Sequence, residues 1–262
     1  MAAGKVPLIE LLKKLFPARD GKDLFAEILR GGVQVQGRTV LKPGFAVAAD
    51  AEILLREKAR YVSRGGEKLA AALSQWSIDC AGKVWIDAGC STGGFTDCLL
   101  QNGAALVHAI DVGENVLDWS VRTDTRVRPH EGVNVMAVGP GTREPAPECA
   151  VADLSFRSLR KAAAHILGLT REAWGIFLVK TQFEYQAPPA SFHGVITDQA
   201  ELGVILRELL SALGAEGVIA EQAMPSPITG RKGNREFLFL LRRGHPVEGA
   251  GNAGLPDGLL RE

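Results

Sequence analysis

Residues 84–88 (VWIDA) run straight into Gly89-Cys-Ser-Thr-Gly-Gly-Phe95, and from there into a helical pattern. A short apolar run, stopped by glycines and followed by a helix, is how a strand–loop–helix unit of a parallel sheet begins. Glycines at 89, 93 and 94 permit a turn tight enough for a ligand to reach the backbone at the strand's carboxyl end. The spacing is not GxGxxG, whose helix N-terminus receives a pyrophosphate, but a shorter GxSTGG form. Asp111 closes the next apolar run, 22 residues after Gly89, where a carboxylate accepts both hydroxyls of a ribose. A carboxylate suits a nucleoside with free ribose hydroxyls and no neighbouring phosphate. A glycine loop made only for helix–strand packing would not need that acid at that distance.

The runs 105–112, 149–154 and 175–180 have the same buried-strand character, with helical stretches between most of them. Segments 217–224 and 235–243 are joined by a Pro/Gly-rich turn, Pro225 to Gly233, so this last pair reads as antiparallel. Upstream, Leu8, Leu11, Leu12 and Leu15 predict a helix over 5–15, and Leu24, Phe25, Ile28 and Leu29 a second over 22–30. Gly31-Gly32 ends the second, residues 33–37 alternate as a strand turning at Gly37, and 51–55 form another strand. The expected organisation is a small N-terminal domain over 1–58, a linker over 59–66, an α/β domain over 67–243 and a disordered tail over 244–262.

The formal net charge is zero, yet residues 1–60 carry 11 Lys and Arg against 7 Asp and Glu. A basic module on an otherwise slightly acidic chain fits a polyanion partner. No apolar run approaches the roughly 18 to 20 residues needed to span a bilayer, and the first residues lack the order of a signal peptide. The four cysteines form no CxxC pair and no metal-ligand spacing with the five histidines. A cytoplasmic protein with reduced thiols, no bound metal and no membrane association is expected, and a monomer.

DAGCSTGGFT, preceded by SRGGEKL and followed by ADLSF, LVKTQFE and GNREFL, resembles the hemolysin A (TlyA) family, over roughly residues 6 to 243. The resemblance implies an S4-type RNA-binding domain joined to an FtsJ-like methyltransferase domain. The implied fold is a Rossmann-like α/β class I methyltransferase sheet, parallel with one antiparallel strand and with helices on both faces, plus a small α+β S4-like domain. It implies S-adenosylmethionine as cofactor, ribosomal RNA or a ribosomal subunit as partner, and 2′-O-methylation of cytidine as activity. The family's Lys-Asp-Lys-Glu tetrad falls on Lys68, Asp153, Lys180 and Glu236. The strand order supports this placement. Ligands of open α/β sheets bind outside the carboxyl ends of the strands, where Asp153 and Lys180 lie. The antiparallel last strand starts on that same edge, at Glu236, and Lys68 lies on a helix able to cover it.

A ribose hydroxyl is a poor nucleophile until its proton is shared or removed. Lys180 is the candidate base, since a buried lysine beside a second cation, Lys68, releases its proton more readily. Asp153 and Glu236 are expected to orient and balance charge. The cofactor is expected on Asp87, Gly89, Cys90, Ser91, Thr92, Gly93, Gly94 and Phe95, then on Asp111, Val112, Asn134 and Asp153. For Cys90, backbone approach rather than thiol chemistry is expected.

The S4-like resemblance rests on Ala26-Glu-Ile-Leu-Arg-Gly-Gly-Val-Gln-Val-Gln-Gly37 and Lys42-Pro. Lys13, Lys14, Arg19, Lys22 and Arg30, with Arg64 nearer the catalytic part, are the candidate RNA contacts. The chain departs from the family at Val6-Pro-Leu8 and Ala18-Arg-Asp-Gly21, where arginine-acid and Ser-Arg pairs are usual, which implies weaker or differently targeted docking. Thr181 replaces a usual proline, and the loop Tyr185 to Gly194 is not lysine- and glycine-rich, which leaves the target nucleotide open. Rival readings are a nicotinamide oxidoreductase, a non-catalytic RNA-binding protein and a membrane-damaging protein. The GxSTGG loop and the four charges oppose the first, the intact tetrad the second, and the absence of a spanning or strongly basic amphipathic segment the third.

Overall fold

The computed structural model describes residues 4–29, 31–55, 59–189, 192–230, 232–244 and 259. The chain divides into two compact units, Met1–Ala59 and Arg60–Glu262.

The first unit contains β1 (Lys5–Pro7), α1 (Leu8–Leu15), α2 (Gly21–Leu29), β2 (Val33–Val35), β3 (Arg38–Thr39), β4 (Ala46–Ala48) and β5 (Ile53–Leu55). The helical spacing predicts α1 from residue 5, but the helix starts at Leu8. Proline disfavours helical backbone at the residue before it, so Val6 stays extended. Residues 5–7 instead pair antiparallel with β4, Val6 opposite Val47. β2 pairs antiparallel with both β3 and β5. Leu8, Leu11 and Leu12 of α1, Leu24 and Ile28 of α2, and Val33, Val35 and Val47 of the strands close one small core.

The second unit contains α3 (Arg64–Gln75), β6 (Val84–Ala88), α4 (Gly94–Gln101), β7 (Leu106–Ile110), α5 (Trp119–Arg122), β8 (Val127–His130), β9 (Cys149–Ala152), α6 (Ala162–Leu167), β10 (Trp174–Lys180), α7 (Thr181–Glu184), α8 (Gln199–Ala215), β11 (Val218–Pro225) and β12 (Glu236–Arg243). The strand order is β11-β12-β10-β9-β6-β7-β8. β8, β7, β6, β9 and β10 are parallel, and β12 runs against β10 and β11. This is the α/β sheet the resemblance implies, with β12 as its antiparallel strand. From β6 the chain first builds outward to β7 and β8, then returns to lay β9 on the other side. The direction of building therefore reverses between β6 and β9, where open α/β sheets take their ligands.

Pleating sends alternate residues to opposite faces. Trp85, Val151, Ile176, Leu178, Leu238 and Leu240 pack with Leu69 and Leu73 of α3 and Phe95 and Leu99 of α4. Ile86, Ala150, Phe177, Val179, Phe237 and Phe239 pack with Ile166 of α6 and Leu206, Leu209 and Leu213 of α8. Counting on by two along each strand, Asp87, Asp153, Lys180 and Glu236 all belong to the α3–α4 face.

Two expectations change. The expected linker 59–66 is mostly part of the second unit. Tyr61 is buried, the Val62 N–H donates to Asp97 at 2.9 Å, Gln101 donates to the Arg60 carbonyl at 2.8 Å, and α3 starts at Arg64. Tyr61 supplies the apolar surface that a solvated linker would lack. Of the expected disordered tail, Gly244 and Leu259 lie within the described residues, and Leu259 is buried in the core on the α6–α8 face, where its side chain leaves water.

Phe239 is fully buried in the middle of β12. Phe239→Ala should lower the unfolding free energy of the second unit by about 3–5 kcal/mol, while Val204→Ala, at an exposed position of the same unit, should cost well under that. Urea denaturation followed by tryptophan fluorescence reads the difference, since all four tryptophans lie in the second unit.

Candidate active site at the sheet's switch point

The loop after β6 is shaped by residues that tolerate left-handed backbone. Gly89 has φ +81°, and a Cβ there would meet the Asp153 carbonyl oxygen at 2.7 Å. The approach of β6 and β9 at the switch point thus requires glycine at 89. The Gly89 and Cys90 N–H groups both donate to the Ile110 carbonyl, at 2.8 and 3.1 Å. Gly93, at φ +91°, precedes α4, and a Cβ on Gly94 would collide with Ser63 Oγ at 2.1 Å. The loop is therefore pressed between β9, β7 and α3.

Asp111 follows β7. Its Oδ2 accepts from the Ser91 N–H at 2.8 Å and its Oδ1 from the Gly113 N–H at 2.7 Å. The acid expected to meet a ribose also braces the glycine loop. The Asn134 side chain accepts from the Met136 N–H at 3.0 Å and caps a short turn. Val112 is exposed beside Asp111.

These groups line one cleft of 810 Å³. It holds Gly89, Cys90, Ser91, Thr92, Gly94 and Phe95 from the loop, and Asp111, Val112 and Asn134 from the ends of β7 and β8. Lys68, Asp153, Lys180 and Glu236 line it too, as does Arg64. Asp87 and Gly93 do not. Asp87 is fully buried beneath the loop, and Gly93 supports the helix start. Burial holds the Cys90 thiol well above the ordinary thiol range, so it stays protonated.

The four charges form two pairs. Lys68, on the buried side of α3, is ion-paired with Glu236. Lys180 Nζ lies 2.6 Å from Asp153 Oδ1 and donates to Ser155 Oγ at 3.0 Å. Lys180 and Glu236 are direct cross-strand neighbours between β10 and β12. This corrects the electrostatic expectation for Lys180. Lys68 does not face it as an uncompensated cation, because Glu236 neutralises Lys68 first.

The structure adds side chains that spacing did not single out. Ser155 holds Lys180. Buried Asn234 accepts from the Ile196 N–H at 3.0 Å and donates to the Gly194 carbonyl at 2.7 Å, joining two segments at the cleft rim. Phe156 and Phe183 lie at the mouth with ring centroids 5.3 Å apart. Ser155, Phe156 and Asn234 sit inside ADLSF and GNREFL, so the motif was the signal, without a role attached. Thr181 donates to the Arg235 carbonyl at 3.2 Å, a bond that proline would lack. In the first unit Lys13, Lys14, Arg19 and Lys22 are exposed, and Lys13 is 2.9 Å from Glu10. Lys13 and Lys22 share a shallow depression with Phe25. Arg30 lies outside the described residues.

Among the described residues there is no group of three or more His, Cys, Asp or Glu arranged to hold a metal ion, and no helix long and apolar enough to cross a membrane.

A seven-stranded sheet with one reversed strand, and a cleft at its switch point floored by glycines, is the architecture of an α/β methyltransferase. A family model of the FtsJ-like methyltransferase matches residues 61–243, and the chain belongs to that family. It is 37% identical over 226 residues to the 16S/23S rRNA (cytidine-2′-O)-methyltransferase TlyA of Mycobacterium tuberculosis, covering 83% of this chain and 82% of that protein. It is also 37% identical over 213 residues to hemolysin A of Brachyspira hyodysenteriae, covering 80% of this chain and 89% of that one. A solved Streptococcus thermophilus structure described as a hemolysin superposes with a TM-score of 0.71 at 33% identity, covering 99% of this chain and 94% of that one.

Asp87 supplies a test of the site's electrostatics. Burial raises its carboxyl to about 7 despite the 2.6 Å bond from Thr96 Oγ1, and Asp153 and Asp111 push the same way. Its folded value lies above the ordinary 3.8, so the folded state holds the extra proton between about pH 4 and 7. Stability contributed by this group is therefore lost as pH rises through that window, by on the order of 4 kcal/mol at most. Unfolding free energies of the ligand-free protein should fall across the window, and Asp87→Asn should remove that slope. Equal slopes in both proteins would show that Asp87 does not titrate there.

Proposed function

We propose that this chain transfers a methyl group from S-adenosylmethionine to a ribose 2′-hydroxyl of cytidine in ribosomal RNA. The observation that carries the reading is the pair of lysine–carboxylate contacts facing the 810 Å³ cleft at the switch point. Membership of the FtsJ-like family and the likeness to TlyA of M. tuberculosis support the substrate class.

The residues fit the cofactor. The Gly89 position has no room for a side chain. Asp111, which lines the cleft, presents a carboxylate at the end of β7 where a ribose would lie. Residues 89–95 would hold the amino-acid end, and Asp111, Val112 and Asn134 the nucleoside end. When bound, S-adenosylmethionine supplies an electrophilic methyl group.

Lys180 Nζ is the group placed to take the proton of the attacking hydroxyl, and Asp153, 2.6 Å away, balances its charge. Asp153 and Ser155 take two of the three directions around Nζ, and the third is left for the ribose oxygen. Lys68 and Glu236 form the opposing charge-matched wall. Much of the rate then comes from holding the nucleophile in line.

The first unit is the RNA-docking module in this reading, with Lys13, Lys14, Arg19 and Lys22 on phosphates and Arg64 at the cleft mouth. The reaction takes place in the cytoplasm, where ribosomal RNA is met free or in assembling subunits. Lys180→Ala should keep cofactor affinity within about threefold and lose methyl transfer by about 10²–10⁴-fold. Calorimetry and tritiated-methyl transfer to ribosomal RNA measure the two. Undiminished turnover in that variant would remove Lys180 from the mechanism.

A further inference from the structure

The stretch from Asp153 to Leu159 leaves the end of β9 and returns to the core as a strap across the cleft mouth. Leu154 and Leu159 are buried, whereas Ser155, Phe156 and Arg157 are exposed. Phe156 is 91% exposed and sits at φ +58°, a backbone that a residue with a bulky side chain adopts only when its surroundings impose it. Something must hold the strap in that shape.

Both holds come from one short piece of chain. At one end, Lys180 contacts Asp153 at 2.6 Å and Ser155 at 3.0 Å. At the other, Glu184 accepts from Ser158 Oγ at 2.5 Å and from the Leu159 N–H at 2.8 Å. Ser158 Oγ in turn accepts from the Arg160 N–H at 3.0 Å. Lys180 ends β10 and Glu184 ends α7, so a single helical turn carries both anchors. Glu184 is 1% exposed, and burial pushes its carboxyl above the ordinary range. A carboxylate in such a place is costly unless its oxygens are satisfied, and the strap provides both short donors. Removing Glu184 frees the strap at Ser158 and Leu159, and with it the segment that carries Ser155.

We infer that Ser155 and Glu184 are positioning residues for Lys180: the Ser155 hydroxyl aims the Lys180 amine, and Glu184 fixes the strap that presents Ser155. The inference rests on the role proposed for Lys180. Ser155 acts on Nζ directly, and Glu184 acts only through the strap.

Methyl transfer, cofactor affinity and hydrogen exchange are to be measured on the full chain and its variants. Ser155→Ala, at an exposed position, should lower kcat by about ten- to a hundredfold with the cofactor Kd changed less than about threefold, and Ser155→Thr should recover most of kcat. Glu184→Ala should lower kcat similarly and lose exchange protection at the Leu159 and Arg160 N–H groups, with protection elsewhere retained. Glu184→Gln keeps an acceptor for Leu159 and should restore both kcat and protection. The double variant Ser155→Ala/Glu184→Ala should be no worse than about threefold below the poorer single one, because both break one chain of contacts. Full kcat in Ser155→Ala, or effects that multiply in the double variant, would overturn the inference. So would unchanged protection of Leu159 and Arg160 in Glu184→Ala, or global loss of protection in both Glu184 variants. The exchange measurement needs no turnover. Loss of protection in Glu184→Ala alongside an inactive wild-type chain would count against the proposed function and leave the strap's anchoring standing.

Discussion

Strand pleating places one residue in two on each face of a sheet, and here it places the chemistry. β6, β9, β10 and β12 end or begin at one edge, and in each the charged residue nearest that edge falls on the α3–α4 face. The Lys180–Glu236 register and the buried reach of Lys68 then bring together two cations and two carboxylates. Taking such ions out of water costs several kcal/mol each, which a single well-made pair does not reliably return. The sequence places two of each sign there, and each lysine finds one acid. Stability alone would favour apolar residues at these positions. That four charges stand there instead is best understood through the reaction.

The same edge explains the glycine loop. β6 and β9 approach so closely at the switch point that a Cβ on residue 89 would overlap the Asp153 carbonyl oxygen. The residue that bears one acid of the quartet is thus also the wall of the loop that would hold the cofactor. Asp111 has a similar double use, bracing Ser91 and Gly113 while facing the cleft. Cofactor loop and charged quartet are two sides of one backbone contact.

Much of this was legible in the sequence. The run 84–88 matches β6 residue for residue, because a buried parallel strand bounded by glycine leaves little freedom in its limits. The grouping of Lys68, Asp153, Lys180 and Glu236 came from the family resemblance, and strand direction agreed with it for the three residues at strand ends. Local pattern failed where a neighbour overrode it. Leucine spacing cannot show that Pro7 turns residues 5–7 into a strand, nor that Tyr61 anchors a stretch that otherwise reads as linker. Which lysine meets which acid was not legible, because the motifs give the members of a cluster and not their partners. Glu184 was passed over for a related reason. Its partners, Ser158 and Leu159, are brought to it only by the return of the strap.

The central claim is that these charges methylate a ribose oxygen in ribosomal RNA. Mapping 2′-O-methyl groups on ribosomal RNA from cells with the gene intact, deleted, or carrying Glu236→Gln tests it most directly. The account predicts at least one cytidine 2′-O-methyl group that is present with the intact gene and absent in the other two strains. Identical maps in all three would contradict it.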